Sequence, residues 1–119
     1  MAQRAILDAE RIDVDGKLLR VQRAKFTVTG SGDQQVLAAV AGKKLRVLAS
    51  RELVDAATTV TWKSDSTALT GAMPYPTEGG AVQPMTPHGW LETVAGEALK
   101  VALGTTTSTL TGNLVYLEI

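Results

Sequence analysis

His88 is the single histidine of the chain, set in "MTPHGW" between Pro87 and Gly89, and it is where proton-transfer chemistry would have to start. Its surroundings do not supply the partners such chemistry needs. Cysteine is absent, so a zinc site of the Cys/His type is excluded, and no spacing of carboxylates around His88 offers the remaining ligands of a mixed site. A serine nucleophile would lack its strand-turn-helix G-x-S-x-G signature and would have to recruit His88 from elsewhere in the chain. The proline and glycine on either side place His88 in a solvated loop.

Three other stretches invite a chemical reading. "DVDG", Asp13 to Gly16, resembles the start of a calcium loop, but Lys17 occupies the third oxygen position and the glycine comes two places early. A hairpin turn on Asp15-Gly16 is expected instead. "GSG", Gly30 to Gly32, follows a strand without opening a helix and without a P-loop lysine, so it reads as a bend and not a phosphate cradle. Asp65, Glu78, Glu92 and Glu97 could be paired on paper for glycoside hydrolysis, as acids in any small protein can. The expectation is a protein that is not an enzyme, with no catalytic, cofactor or metal residues.

The aromatic residues are more distinctive. Trp62, Tyr75, Trp90 and Tyr116 could line a shallow sugar-binding face, because flat rings stack on apolar sugar faces. Trp62 alternates in phase with Val60, however, and Trp90 leads into Leu91, which favours core or rim positions for both. Tyr75 lies between Pro74 and Pro76, in an extended segment unsuited to a central strand, and is the best candidate for an exposed contact.

The elements that position these residues are strands. With 119 residues the chain makes one domain able to bury its own core. Fifteen threonines and frequent valine accompany apolar alternation: Phe26 and Val28, Val60 and Trp62, Leu99 and Val101 face inward between polar neighbours. The pattern predicts strands over 24–29, 35–40, 44–51, 58–63, 66–70, 81–84, 89–93, 98–103 and 113–119. Turns are expected at "AGKK", "KSDS", "VAGE" and "LTGN", and a loop or edge strand at "TTTST". The long Gly/Pro stretch from Gly71 to Gly89 is where a two-sheet domain would cross from one sheet to the other.

The longest apolar run, Val36 to Ala41, is far too short to span a bilayer. The N-terminus alternates charges where a secretory signal would be apolar, so a soluble chain without membrane contact is expected. Formal charge is zero overall, with ten basic and six acidic residues through Glu52 and two basic and six acidic beyond it. A nucleic-acid surface would need denser basic residues interleaved with aromatics, so no nucleic-acid partner is expected. Strands from the two halves should lie together and partly neutralise each other.

The two ends are the places to look for contacts. Residues 1–22 mix a helix-prone "AQRAILDAER" with a hairpin-like "RIDVDGKLLRV" and form an N-terminal arm or hairpin ahead of a domain over 23–119. Arg4, Ile6, Leu7, Arg11, Ile12 and Val14 are its candidate contact residues. At the other end "NLVYLEI" is apolar in both strand phases. Val115 and Leu117 therefore need cover, from the N-terminal segment or from another subunit.

From about residue 35 to the end, "AGKKLRVL", "VTWKSDSTALTGAMP", "GGAV", "PHGW" and "GEALKVAL" follow one another in an order that resembles small tailed-bacteriophage virion proteins. These are head-decoration or cement proteins, and also domains attached to tail fibres. The resemblance implies a single jelly-roll-like antiparallel β-sandwich acting by shape and surface. It implies a decoration protein that stabilises the head by bridging subunits of the major capsid protein shell. The protein would be made in the bacterial host cytoplasm and located on the capsid surface of the virion. The alternative is a tail-fibre or receptor-binding module for a host surface glycan. Self-association is expected from the two-sided terminal strand, a trimer suiting local threefold positions and a dimer being the other choice.

Overall fold

The computed structural model describes residues 11–119. Among them every element is a β-strand. Asp15 and Gly16 both take positive φ, 52° and 84°, the left-handed pair that a two-residue type I′ turn requires. They join β1 (Arg11–Val14) to β2 (Lys17–Arg20) with Val14 opposite Lys17. Asp13 Oδ1 accepts a hydrogen bond from the Gly16 N–H at 2.9 Å, so the carboxylate of "DVDG" closes a hairpin turn.

The remaining strands are β3 (Gln22–Thr29), β4 (Gly32–Leu37), β5 (Leu45–Val54), β6 (Thr58–Ser64), β7 (Thr67–Ala68), β8 (Met73–Tyr75), β9 (Gly80–Gln83), β10 (Leu91–Glu92), β11 (Leu99–Leu103) and β12 (Thr109–Glu118). They make two five-stranded sheets. One runs β10-β5-β12-β3 with β9 also paired to β5, and the other runs β4-β11-β6-β7 with β8 also paired to β6. Every pairing is antiparallel. The stretch from Gly71 to Gly89 does cross between sheets, since β8 joins the second sheet and β9 the first.

The inner faces share one core. Phe26, Val28, Val47, Val54, Leu110 and Leu114 from the first sheet meet Val60, Trp62, Leu99, Val101 and Leu103 from the second. At its centre Phe26 packs edge-on against Trp62, with ring centroids 5.7 Å apart at 85°, the arrangement that sets a positive ring edge against a negative face.

A second, smaller cluster lies on the other side of the first sheet. Along β12, Leu110, Leu114 and Tyr116 face the main core, while Val115 and Leu117, with Ile119 just past its end, belong to the second cluster. This is the period of two that a strand imposes. Ile12, Val14 and Leu19 of the β1–β2 hairpin pack there, together with buried Val21 and Leu48. The second apolar face of "NLVYLEI" is thus covered from within the chain.

Two sequence expectations need correction. "LTGN" is not a turn: Gly112 sits inside β12, opposite Phe26 on one side and Glu52 on the other. A Cβ there would lie 2.4 Å from the Arg51 carbonyl oxygen and 2.8 Å from the Phe26 ring, so the glycine permits close packing instead of chain reversal. The strand expected over 35–40 is Gly32–Leu37, because the polar residues of "GDQQ" pair with β11 and the run beyond Leu37 leaves the sheet.

Candidate functional site

The outer surface of the first sheet is divided. The hairpin covers the end around Leu117, which is fully buried, and no other described element covers the rest. Strand register sets Lys25, Asn113, Arg51 and Val82 on one rung, with Thr27, Thr111, Leu53 and Gly80 on the next. Arg23, Val115 and Ala49 form the rung on the other side. Among the described residues, the rungs of Asn113 and Thr111 carry no carboxylate. Arg23, Lys25, Arg51, Val82, Gln83 and Asn113 help to line a shallow depression of about 580 Å³. Val82 and Leu53 are 74% and 61% exposed. The surface is concave and cationic, with apolar side chains at one edge.

Neutralisation between the halves of the chain occurs elsewhere. Arg46 Nε donates to Glu92 Oε1 at 2.8 Å, and Lys44 reaches the same carboxylate at 3.8 Å. Other acids serve the backbone and loops. Glu97 accepts from the Ser64 hydroxyl, whose oxygen in turn accepts from the Val94 N–H. Asp65 accepts from the Ala98 N–H. Three of the four carboxylates that could be paired on paper for hydrolysis are therefore engaged in holding the fold. His88 is an exposed turn residue.

The second feature lies between the sheets. A cavity of about 160 Å³ is bounded by Val47, Ser50 and Glu52 of β5, Trp62 of β6, Met73 and Tyr75 of β8, and Leu91 of β10 with Trp90 just before it, among others. The structure thus unites Trp62, Tyr75 and Trp90. Tyr116 is not part of this lining; its phenol, near Glu118, has its pKa raised, first by burial and then by that negative charge. Trp62 is only 3% exposed, whereas Trp90 is 46% exposed and donates its indole N–H to the Pro84 carbonyl at 2.7 Å. Tyr75 is half-buried on the edge strand β8.

Glu52 is the residue that sequence reasoning missed. It is 5% exposed, and burial pushes its carboxyl up to about 7, against the opposing effect of hydrogen bonds from the Tyr75 hydroxyl and the Trp62 indole. Tyr75 is raised in turn to about 12, by burial first and then by its proximity to Glu52. Despite these donors, Glu52 Oε2 has no hydrogen-bond partner. Among the described residues no group of three or more His, Cys, Asp or Glu could hold a metal ion.

The other candidate contacts are distributed as follows. Ile12 and Val14 are half-buried against the second cluster, Val115 lies at its margin, Leu117 is sealed beneath it, and Arg11 is exposed on β1. Arg4, Ile6 and Leu7 fall outside the described residues.

No protein-family model and no curated protein matches the chain. A chain of the cyanophage Pam1 capsid asymmetric unit is similar in structure, with 17% identity, a TM-score of 0.43, and coverage of 83% of this chain and 84% of that one. A likeness of that degree does not define a shared fold.

Proposed function

We propose that the two layers form a jelly-roll-like β-sandwich, and that the protein is a structural component of a tailed-phage virion. The best fit is a decoration protein that bridges subunits of the capsid shell. The observation that carries this reading is the outer face of the first sheet, which no described element covers beyond the hairpin. Lys25 and Arg51 stand there on one rung without a carboxylate, beside exposed Leu53 and Val82. Such a face suits an acidic, partly apolar protein surface. The sequence pattern from "AGKKLRVL" to "GEALKVAL" supports the virion context. Many symmetric copies, as trimers or dimers, would convert modest single contacts into firm attachment. No catalytic step is assigned to any residue.

The test is co-sedimentation with empty, undecorated heads of the phage that encodes the protein. Binding is expected at low salt and should weaken as ionic strength rises. The double change Lys25→Glu and Arg51→Glu should abolish it while leaving the melting transition in place. Undiminished binding by that variant would remove the outer face from the interface. A tail-fibre module for a host glycan draws on Trp90, exposed at the cavity beside Tyr75, although buried Trp62 offers no stacking platform. Copy number in calibrated virion gels separates the two readings, since a decoration protein covers the lattice and a fibre domain is present in few copies.

A further inference from the structure

We propose that the cavity around Glu52 is a binding site for a primary ammonium group carried on an alkyl stem. The argument starts from what the cavity lacks. Among the described residues Glu52 is its only charged lining residue and Tyr75 its only other titratable one. Among the described residues no cation lines the space beside the carboxyl, and Oε2, itself buried, has no hydrogen-bond partner. A carboxylate withdrawn from water needs both a counter-charge and hydrogen bonds. An ammonium supplies them together, with three N–H donors. Ser50 and Gln83 line the same space and offer oxygen acceptors for the remaining donors.

The walls fit the rest of such a ligand. Val47, Met73, Leu91 and Leu114 with the aromatic rings suit methylene groups. The volume of 160 Å³ equals that of roughly five waters at about 30 Å³ each, enough for a slender chain. A metal ion is a poor alternative, because hard cations require several oxygen ligands, often carboxylates, and this cavity has one carboxylate. The stem and ammonium describe a lysine side chain of another protein surface and a free alkylamine equally well. The inference does not depend on how the outer face is used.

Both tryptophans of the chain, Trp62 and Trp90, line the cavity, so intrinsic fluorescence reports occupancy directly. Full-length protein is titrated with n-butylammonium chloride, or with Nα-acetyl-lysine N-methylamide, against sodium chloride at equal ionic strength. A saturable change is expected with the amines and not with sodium. Its apparent affinity should be constant between about pH 7 and about pH 9 and fall by up to about tenfold per unit below pH 7, as far as the lowered midpoint of the complex, as Glu52 takes up a proton. Glu52→Gln should weaken binding at least about tenfold, the loss of one charge-assisted hydrogen bond. Tighter binding of the blocked lysine points to a protein lysine as the source, and tighter binding of butylammonium to a free amine. A second readout needs no variant: the carbon-13 titration midpoint of the Glu52 carboxyl should drop by about one unit or more in saturating amine. No saturable change with either amine, an identical curve in Glu52→Gln, or an unmoved carboxyl midpoint overturns the proposal.

Discussion

At the scale of single residues, Glu52 makes folding sensitive to pH. Its carboxyl titrates near 7 in the folded chain against an ordinary value of 4.5, so the folded state holds the proton more tightly than the unfolded one. The stability this contributes is fully present below about pH 4.5 and is lost as pH rises to about 7. The full difference amounts to about 3 kcal/mol. Glu52→Gln keeps the shape and removes the charge. It is expected to match the wild type in denaturant midpoint near pH 4.5 and to exceed it by up to about 3 kcal/mol at about pH 8. A gap that does not widen with pH would show that Glu52 is solvated. The core residues make a different prediction. Trp62 and Leu99 are 3% and 0% exposed, so Trp62→Ala and Leu99→Ala should cost about 3 to 5 and 2 to 5 kcal/mol. Lys63 forms a half-exposed pair with Asp33 at 2.9 Å, so Lys63→Ala should cost about 1 kcal/mol or less. Urea denaturation of the three variants checks the order.

At the scale of elements, two irregularities shape the first sheet, and they differ in how far the sequence reveals them. Alternation at Phe26 and Val28, Val60 and Trp62, and Leu99 and Val101 is unbroken, and those residues do face the core. Turn chemistry at Asp15-Gly16 and Asp65 likewise predicts the hairpins found there. In β5 the phase set by Leu45 and Val47 would point Leu53 inward and Glu52 outward. The register instead shifts between Val115 and Tyr116 of the partner strand, leaving Leu48 as an extra residue on β5. Such a bulge reverses the phase of everything beyond it. Glu52 therefore enters the core and Leu53 is 61% exposed, which no local pattern in "LRVLASRELV" announces. The cavity was illegible for the same reason. Gly112 reads as a turn because a glycine beside threonine and asparagine has turn composition, while the need for close approach belongs to Phe26 and Arg51, distant in sequence. Its single-residue test is Gly112→Ala. The added methyl group would meet backbone carbonyl and ring together, with no flexible side-chain tip to yield, and should cost about 1 to 3 kcal/mol. A thermal midpoint equal to that of the wild type would mean that β12 can move away from β5 without loss.

At the scale of the whole molecule, the main core and the hairpin cluster are separable in principle, because they lie on opposite faces of the same sheet. The main core draws no residue from β1 or β2. Ile12, Val14 and Leu19 of the hairpin are half-buried and touch only the second cluster. Half-burial of three aliphatic side chains is worth about 2 to 4 kcal/mol in all, a sizeable share of the stability of a domain this small. Deleting residues 2–20 should therefore lower the denaturant midpoint while preserving one cooperative transition, carried by the two sheets alone. It should also expose Leu48, Val115, Leu117 and Ile119 together, a contiguous apolar patch with strand edges nearby. Such a patch favours association with a second copy. Sedimentation of the truncated protein is expected to show concentration-dependent oligomers heavier than those of the full chain. Equal sedimentation of the two would mean that the patch rearranges to cover itself. Loss of the cooperative transition would make the hairpin an obligatory part of the folding unit, because covering one face of β12 would then be needed to hold its other face in register with β3 and β5.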